Sequence, residues 1–124
     1  MNLLLDTHIL LWWLANSRQL PAPARAAILG SERIYVSAAT AWEITIKVSL
    51  GKLDFYGNME EQLALNNFLP LHVTVTHAVA AGKLPRRHSD PFDRMLIAQA
   101  QGESLTLLTH DRRLKAYDVD ILVT

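Results

Sequence analysis

Asn2-Leu3-Leu4-Leu5-Asp6 is the stretch that decides the fold of this chain. The run from Asn2 to Leu5 is apolar at nearly every position, as in a strand that is buried on both faces, and Asp6 stops it. Such strands belong to parallel sheets that are covered by helices. Asp6 is therefore predicted to lie at the carboxyl end of a parallel strand, the edge where ligands bind in open α/β sheets.

Helical and strand-like patterns alternate along the rest of the chain. Strands are predicted over residues 33–36, 71–75, 104–109 and 121–123. Helices are predicted over residues 7–16, 24–29, 38–50, 59–69, 91–101 and 112–117, with a short helix from a Thr76 cap to Leu84. Gly30, Gly51 and Gly102 are predicted to end the helices before them. The alternation favours an α/β fold in which helices cover a mostly parallel sheet.

Length and composition favour a compact domain. The chain has 124 residues, 50% hydrophobic and 19% charged, which predicts one domain spanning residues 1–124. Twelve basic and twelve acidic side chains cancel, so net charge makes no case for nucleic-acid binding. The stretch from Lys83 to Lys115 is different, with seven basic against four acidic residues.

The chain contains no cysteine, which excludes a disulfide framework and a thiolate metal site and is compatible with a reducing compartment. The N-terminal stretch of the sequence lacks the basic region and the cleavage site of a signal peptide. No apolar run approaches the roughly 20 residues of a membrane span. We expect a cytoplasmic protein that does not enter a membrane.

Several carboxylates are placed where they could meet. Asp6 and Asp111 each follow a predicted strand, although either could be a loop residue that makes a local turn. Glu43 lies on the inward ridge of its predicted helix, where an ionised carboxylate needs a cation or a proton. An arginine partner, or a helix edge open to water, would also satisfy Glu43.

Asp90 and Asp93 stand three residues apart at the start of one predicted helix. Asp90-Pro91 is typical of a helix start, because Asp caps free amides and Pro prefers the first helical position. Asp93, one turn further, can point into the crevice or fold back as part of a capping box. Of the two, Asp93 is the better candidate for chemistry.

Four carboxylates in one pocket would repel one another, and a hard divalent cation relieves that repulsion. An all-oxygen ligand set favours Mg²⁺ or Mn²⁺ over Zn²⁺. Such a cation activates water and stabilises charge on a phosphodiester, so phosphodiester hydrolysis is the natural chemistry for the set. The candidate ligands are Asp6, Glu43, Asp93 and Asp111.

Three segments carry a resemblance to a known family. They are Leu3-Leu4-Leu5-Asp6-Thr7-His8, then Ser37 to Lys47 with Trp42-Glu43, and finally His88-Ser89-Asp90-Pro91-Phe92-Asp93-Arg94-Met95-Leu96-Ile97-Ala98-Gln99-Ala100 followed by Thr109-His110-Asp111. In this order and spacing the sequence resembles PIN-domain ribonucleases, and within them the VapC toxins of bacterial toxin-antitoxin pairs.

The resemblance implies a three-layer α/β/α sandwich, a homodimer, a cognate VapB-like antitoxin and an RNA substrate, often tRNA. By position it implies that the metal ligands are Asp6, Glu43, Asp93 and Asp111. It also implies supporting hydroxyl hydrogen bonds from Thr109 and Thr7, with Asp90 as an accessory candidate.

Basic and aromatic residues near the acids have two interpretations each. Arginines of this region are ordinarily solvated, but their closeness to the candidate ligands suggests that some of them contact RNA phosphates; the candidates are Arg86, Arg87, Arg94, Arg112 and Arg113. His8, His88 and His110 are expected to be loop or supporting residues, or else to contact phosphates or bases. Trp12 and Trp13 are expected in the core or a dimer face, with stacking on RNA bases as the alternative.

Two other function classes stay open. Receiver domains and haloacid-type phosphatases also hold Mg²⁺ with aspartates at strand ends, but the phosphatase pattern needs a second Asp where His8 stands, and a receiver needs an adjacent acid pair near the first strand. A non-catalytic module that binds RNA or a protein partner is the other alternative, and the intact acid set disfavours it.

Overall fold

The computed structural model describes residues 1–124, which form five strands, six α-helices and one 3-10 helix. The strands are β1 (Asn2–Leu5), β2 (Arg33–Ser37), β3 (Leu69–Leu71), β4 (Thr106–Thr109) and β5 (Ile121–Val123). The α-helices are α1 (Thr7–Leu14), α2 (Ala22–Gly30), α3 (Ala38–Ser49), α4 (Met59–Leu65), α5 (Val75–Lys83) and α6 (Pro91–Glu103), and the 3-10 helix is Arg112–Ala116. None of the helices has the length and apolarity that crossing a bilayer requires.

The five strands form one sheet in the order β3-β2-β1-β4-β5, and every neighbouring pair is parallel. The predicted parallel sheet is therefore confirmed. From β1 the chain builds the sheet first towards β3 and then, from β4, in the opposite direction. This reversal places the topological switch point between β1 and β4, where open α/β sheets bind their ligands.

Helices cover both faces of the sheet, which confirms the three-layer α/β/α sandwich. Leu3 and Leu5 point into one core with residues of α1, α2, α3 and α4. Leu4 points into the other core, with residues of α6 and the 3-10 helix. Side chains that alternate between two buried faces explain why β1 is apolar without interruption.

The segment around β3 differs from the sequence prediction. The helix predicted to reach Leu69 ends at Leu65, because the chain turns at Asn66 and Asn67, and Asn67 adopts a left-handed φ of 58°. The strand then begins at Leu69 instead of Leu71 and contains Pro70. A strand that pairs only with β2 tolerates proline because its outer side needs no amide donor.

Several helix ends also differ from prediction. The cap of α5 is Thr74 and not Thr76, because the Thr74 hydroxyl and the His77 ring bond each other's backbone amides in a capping box. Helix α6 continues through Gly102 and stops at Ser104, which takes the left-handed conformation. Gly30 is the last residue of α2, and Gly51, with a φ of 71°, follows the end of α3, so both glycines stand at helix ends as predicted. The helix predicted over residues 112–117 is the 3-10 helix Arg112–Ala116.

Truncating the central strand tests the two-faced core. We expect Leu4→Ala, which removes a fully buried side chain, to lower the free energy of unfolding by about 2 to 5 kcal/mol. Urea unfolding followed by circular dichroism measures the change. Leu65→Ala is the matched control, because Leu65 is 77% exposed on α4, and it should stay within about 0.5 kcal/mol of the wild type. Equal effects of the two substitutions would contradict the burial of Leu4 against α6 and the 3-10 helix.

Candidate functional site

Asp6 lies at the carboxyl end of β1 and is only 6% exposed. One carboxylate oxygen accepts a hydrogen bond from the Ile9 amide at 2.9 Å and so caps α1. The other oxygen accepts a hydrogen bond from the Thr109 hydroxyl at the end of β4. Thr109 Oγ1 in turn accepts from the Asp111 amide at 3.0 Å. The adjacent central strands are thus joined at their tips by Asp6 and Thr109.

Glu43 is 8% exposed on α3 and has two partners. The Thr7 hydroxyl donates to Glu43 Oε1 at 2.6 Å, and Lys47 Nζ lies 2.9 Å from Oε2. The sequence predicted that Glu43 would be a metal ligand, and it left open an arginine partner or a helix edge open to water. The partner is instead a lysine one helical turn further along α3, and the carboxylate stays buried. Because Thr7 follows Asp6 in the chain, this bond brings α3 to the tip of β1.

Asp93 and Asp90 lie at the start of α6 and do different things. Asp90 Oδ1 accepts from the amides of Phe92 at 2.8 Å and Asp93 at 3.2 Å, so Asp90 caps the helix. Asp93 does not fold back into a capping box. Its Oδ2 lies 2.8 Å from His88 Nε2, a contact whose donor depends on the His88 tautomer.

Asp111 follows β4 and starts the 3-10 helix, where its Oδ1 accepts from the Arg113 amide at 3.0 Å. The Arg113 side chain also donates hydrogen bonds to both oxygens of the Asp111 carboxylate. Nε lies 3.0 Å from Oδ1, and Nη2 lies 2.7 Å from Oδ2. This pair is open to solvent, since the Arg113 side chain is 71% exposed.

The structure brings the four candidate ligands to one edge of the sheet, although not into a single ring of atoms. Ligand atoms of His88, Asp93 and Asp111 lie within 4.8 Å of one another. Asp6 joins this group electrostatically, because its charge acts on Asp93. Glu43 is connected through Thr7 and is not part of the tight group.

Burial acts differently on the carboxylates. The pKa of Asp6 is raised because burial disfavours its charged form, and hydrogen bonds from Thr109 and Ile9 only partly offset this. Burial also raises the pKa of Asp93, against the opposing hydrogen bond from His88. The pKa of Asp111 is lowered, chiefly by the hydrogen bond from Arg113. Asp6 and Asp93 are therefore the carboxylates that lack adequate compensation for their charge.

The predicted RNA-contacting arginines fall into two groups. Arg86, Arg87 and Arg112 are exposed near the carboxylates. Arg94 is different, because its guanidinium donates to main-chain carbonyls of the segment that leads into α6. The acceptors include Ala81 O at 2.8 Å, Leu84 O at 2.9 Å, Pro85 O at 3.1 Å and His88 O at 3.3 Å. This arrangement corrects the expectation that Arg94 contacts RNA phosphates, because its N–H donors bind main-chain carbonyls between Ala81 and His88.

The remaining histidines and tryptophans also take definite positions. Trp13 packs against the core and donates from Nε1 to Asn66 Oδ1 at 2.9 Å. Trp12 is half-buried between the rings of His8 and His110, with ring centroids 5.7 and 5.5 Å away. Trp12, Asp6 and Asp111 line one small cavity, so an aromatic face lies beside the carboxylates.

Two residues of the site were not singled out from the sequence. Lys47 stands four residues after Glu43, and this spacing on a helix face is a readable signal for an ion pair. Tyr117 had no such signal. Its hydroxyl donates to His88 O at 3.3 Å, and it reaches His88 only because the chain turns back after the 3-10 helix.

The available donors fit a hard divalent cation. The group offers carboxylate oxygens and one imidazole nitrogen, and no thiolate exists in the chain. Raised pKa values at Asp6 and Asp93 indicate charge that a bound cation would compensate.

Known proteins resemble the chain over nearly its full length. It is 27% identical over 123 residues to Ribonuclease VapC22 of Mycobacterium tuberculosis, a match that covers 94% of this chain and 92% of that protein. Among solved structures, a toxin-antitoxin complex from Klebsiella pneumoniae superposes with a TM-score of 0.72 at 19% identity, covering 98% of this chain and 97% of that one. VapBC2 from Rickettsia felis, bound to a promoter DNA fragment, gives a TM-score of 0.69 at 15% identity, covering 100% and 99%.

The family model described as PIN domain matches residues 3–120, from β1 almost to the last strand. The match includes all four candidate carboxylates and the helices that position them. Sequence, fold and site geometry agree, and the chain belongs to the PIN-domain family.

Proposed function

We propose that this protein is a metal-dependent endoribonuclease that acts as the toxin of a VapBC-type toxin-antitoxin pair. The observation that carries the proposal is the environment of Asp6. This carboxylate is almost fully buried at the switch point of the sheet, and its hydrogen-bond partners, the Thr109 hydroxyl and the Ile9 amide, are uncharged. A buried carboxylate of this kind requires a proton or a cation.

Mg²⁺ or Mn²⁺ is the proposed cation, held by Asp6, Asp93 and Asp111, with Glu43 completing the set. When bound, a divalent cation of this kind supplies Lewis-acid chemistry, lowering the pKa of water and neutralising charge on a phosphodiester during in-line attack. Other side chains keep the ligands in place. Thr109 fixes Asp6, Thr7 fixes Glu43, and His88 fixes Asp93.

Arg94 and Tyr117 support the site from further out. Both donate to the carbonyl oxygen of His88, at 3.3 Å each, and thereby hold the backbone of the histidine that contacts Asp93. Positioning of this kind matters because a small displacement of a catalytic group slows a reaction steeply. We therefore assign Arg94 a positioning role.

RNA is the proposed substrate, because the similar protein of M. tuberculosis is named a ribonuclease. Exposed Arg86, Arg87 and Arg112 are proposed to contact its phosphates. Trp12 offers an aromatic face beside Asp6 on which a base could stack. A tRNA target and a homodimer are further expectations of the VapC resemblance, as is a cytoplasmic location.

An antitoxin is the proposed protein partner. The solved structures that resemble this chain include a toxin-antitoxin complex and VapBC2, which supports a cognate VapB-like antitoxin. Membership of the PIN family favours hydrolysis over the aspartyl phosphotransfer alternative. Transfer of radiolabel from a phosphate donor to an aspartate would favour that alternative.

Nuclease activity is tested with purified, antitoxin-free protein and total RNA in Mg²⁺ or Mn²⁺. We expect cutting that EDTA stops, and we expect Asp6→Asn and Asp93→Asn to reduce it at least about 100-fold, because each removes a charged ligand. Gel analysis of the RNA measures the rate. Asp118→Asn, which changes an exposed carboxylate outside the site, should cut normally. Cutting that survives EDTA or both site substitutions would overturn the proposal.

The contribution of Asp6 and Asp93 to the stability of the metal-free protein should fall as pH rises, because both have raised pKa values in the folded state. Their stabilising contribution is complete below the unfolded value of 3.8 and is lost as pH rises through the folded values. In EDTA at pH 7.5 we therefore expect Asp6→Asn to melt above the wild type, by about 4 °C for each 1 kcal/mol gained. Asn can still cap α1. Near pH 4 the difference should shrink.

Saturating Mn²⁺ should reverse this order. At 100 times the dissociation constant it would stabilise the wild type by about 2.7 kcal/mol, and the variant by less. Differential scanning fluorimetry at both pH values, with and without Mn²⁺, measures these shifts. Asp118→Asn again serves as the control. An Asp6→Asn protein that is destabilised equally at pH 4 and pH 7.5 in EDTA would show that the buried carboxylate carries no electrostatic cost.

A further inference from the structure

A basic cavity of about 690 Å³ opens beside the carboxylates, and none of its lining residues is hydrophobic. The residues that matter here are Arg86, Arg87, His88, Ser89, Arg94 and Arg113. His88 and Arg113 are also the direct partners of Asp93 and Asp111. The cavity and the candidate metal site therefore share a wall.

Arg113 is the side chain in that wall that already neutralises a candidate ligand. Its guanidinium contacts both oxygens of Asp111, which occupies the coordination capacity that a metal ion would use. The other such pair is Lys47 with Glu43. Lys47 faces a different cavity, in which half of the lining residues are hydrophobic, so of these two ion pairs only that of Arg113 connects a candidate ligand to the basic cavity.

We propose that Arg113 exchanges partners during the reaction cycle: it holds Asp111 in the metal-free protein and turns to an RNA phosphate in the basic cavity when a divalent cation takes Asp111. This inference rests on the proposed function and adds a residue to it. The guanidinium suits both partners, because its fork of N–H donors matches carboxylates and phosphates alike.

The geometry favours such an exchange. The Arg113 side chain is 71% exposed, so water can solvate the guanidinium as it separates from Asp111. The Arg113 main-chain amide donates separately to Asp111 Oδ1, so the start of the 3-10 helix keeps a hydrogen bond when the side chain leaves. Arg86 and Arg87 are exposed in the same cavity and would share the phosphate with Arg113.

Metal affinity tests the first half of the exchange. Isothermal titration of Mn²⁺ into the metal-free protein should show that Arg113→Gln binds Mn²⁺ about three-fold tighter than the wild type, because the competitor for Asp111 is gone. Lys115→Gln is the matched control. Lys115 is exposed on the same 3-10 helix and forms no ion pair, so its loss changes net charge equally without freeing Asp111.

RNA affinity tests the second half. Fluorescence anisotropy with a labelled single-stranded oligoribonucleotide is measured over a salt series, in EDTA and in Ca²⁺, with intact RNA verified on gels. In Ca²⁺, Arg113→Gln should reduce the slope of log affinity against log salt by about 0.7, the value for one phosphate contact on a single strand. In EDTA the slope should match the wild type, because Arg113 is then held by Asp111.

Both changes are required. Arg113→Gln that behaves like Lys115→Gln in the Mn²⁺ titration, or in the salt series with Ca²⁺, would overturn the exchange, as would an equal loss of slope in EDTA and Ca²⁺. If the wild type binds Mn²⁺ and RNA but Arg113→Gln does not show the two expected changes, the exchange is wrong and the proposed function stands. If the wild type binds neither Mn²⁺ nor RNA, both the exchange and the proposed function are wrong.

Discussion

The hydrogen bond from Thr109 to Asp6 joins the tips of β1 and β4, and the rest of the site is arranged around it. Both partners are almost completely buried at the point where the sheet reverses direction. An uncharged hydroxyl orients the Asp6 carboxylate without neutralising it, so the raised pKa of Asp6 follows from burial. The fold thus keeps a costly group at the position where a cation would be useful.

Side chains of the chain itself compensate two of the other carboxylates, because Lys47 pairs with Glu43 and Arg113 pairs with Asp111. Asp93 contacts His88, but its pKa stays raised because burial outweighs that hydrogen bond. The expected mutual repulsion of four carboxylates is therefore softened before any metal binds. These contacts have different exposures: the Arg113 pair is open to water, whereas Glu43 is enclosed. Exposed pairs are weak, so the outer carboxylate is the one that exchanges partners most readily.

Much of this arrangement could be predicted from the sequence, because local chemistry decided it. The apolar run of β1 predicted a strand buried on both faces, and Asp90-Pro91 predicted the start of α6. The β3 segment was placed two residues late, because the turn at Asn67 overrides a helical pattern. Arg94 was misjudged because its carbonyl partners, from Ala81 to His88, come together only in the folded chain. No spacing rule predicts such a contact.

The proposed function requires Asp6 and Asp93 to hold a divalent cation together at the switch point of the sheet. The most direct measurement is anomalous diffraction from crystals of the protein grown in Mn²⁺. We expect an anomalous peak within coordination distance of carboxylate oxygens of both Asp6 and Asp93. Diffraction data in which Mn²⁺ occupies other sites, while Asp6 keeps only its bonds to Thr109 and Ile9, would contradict it.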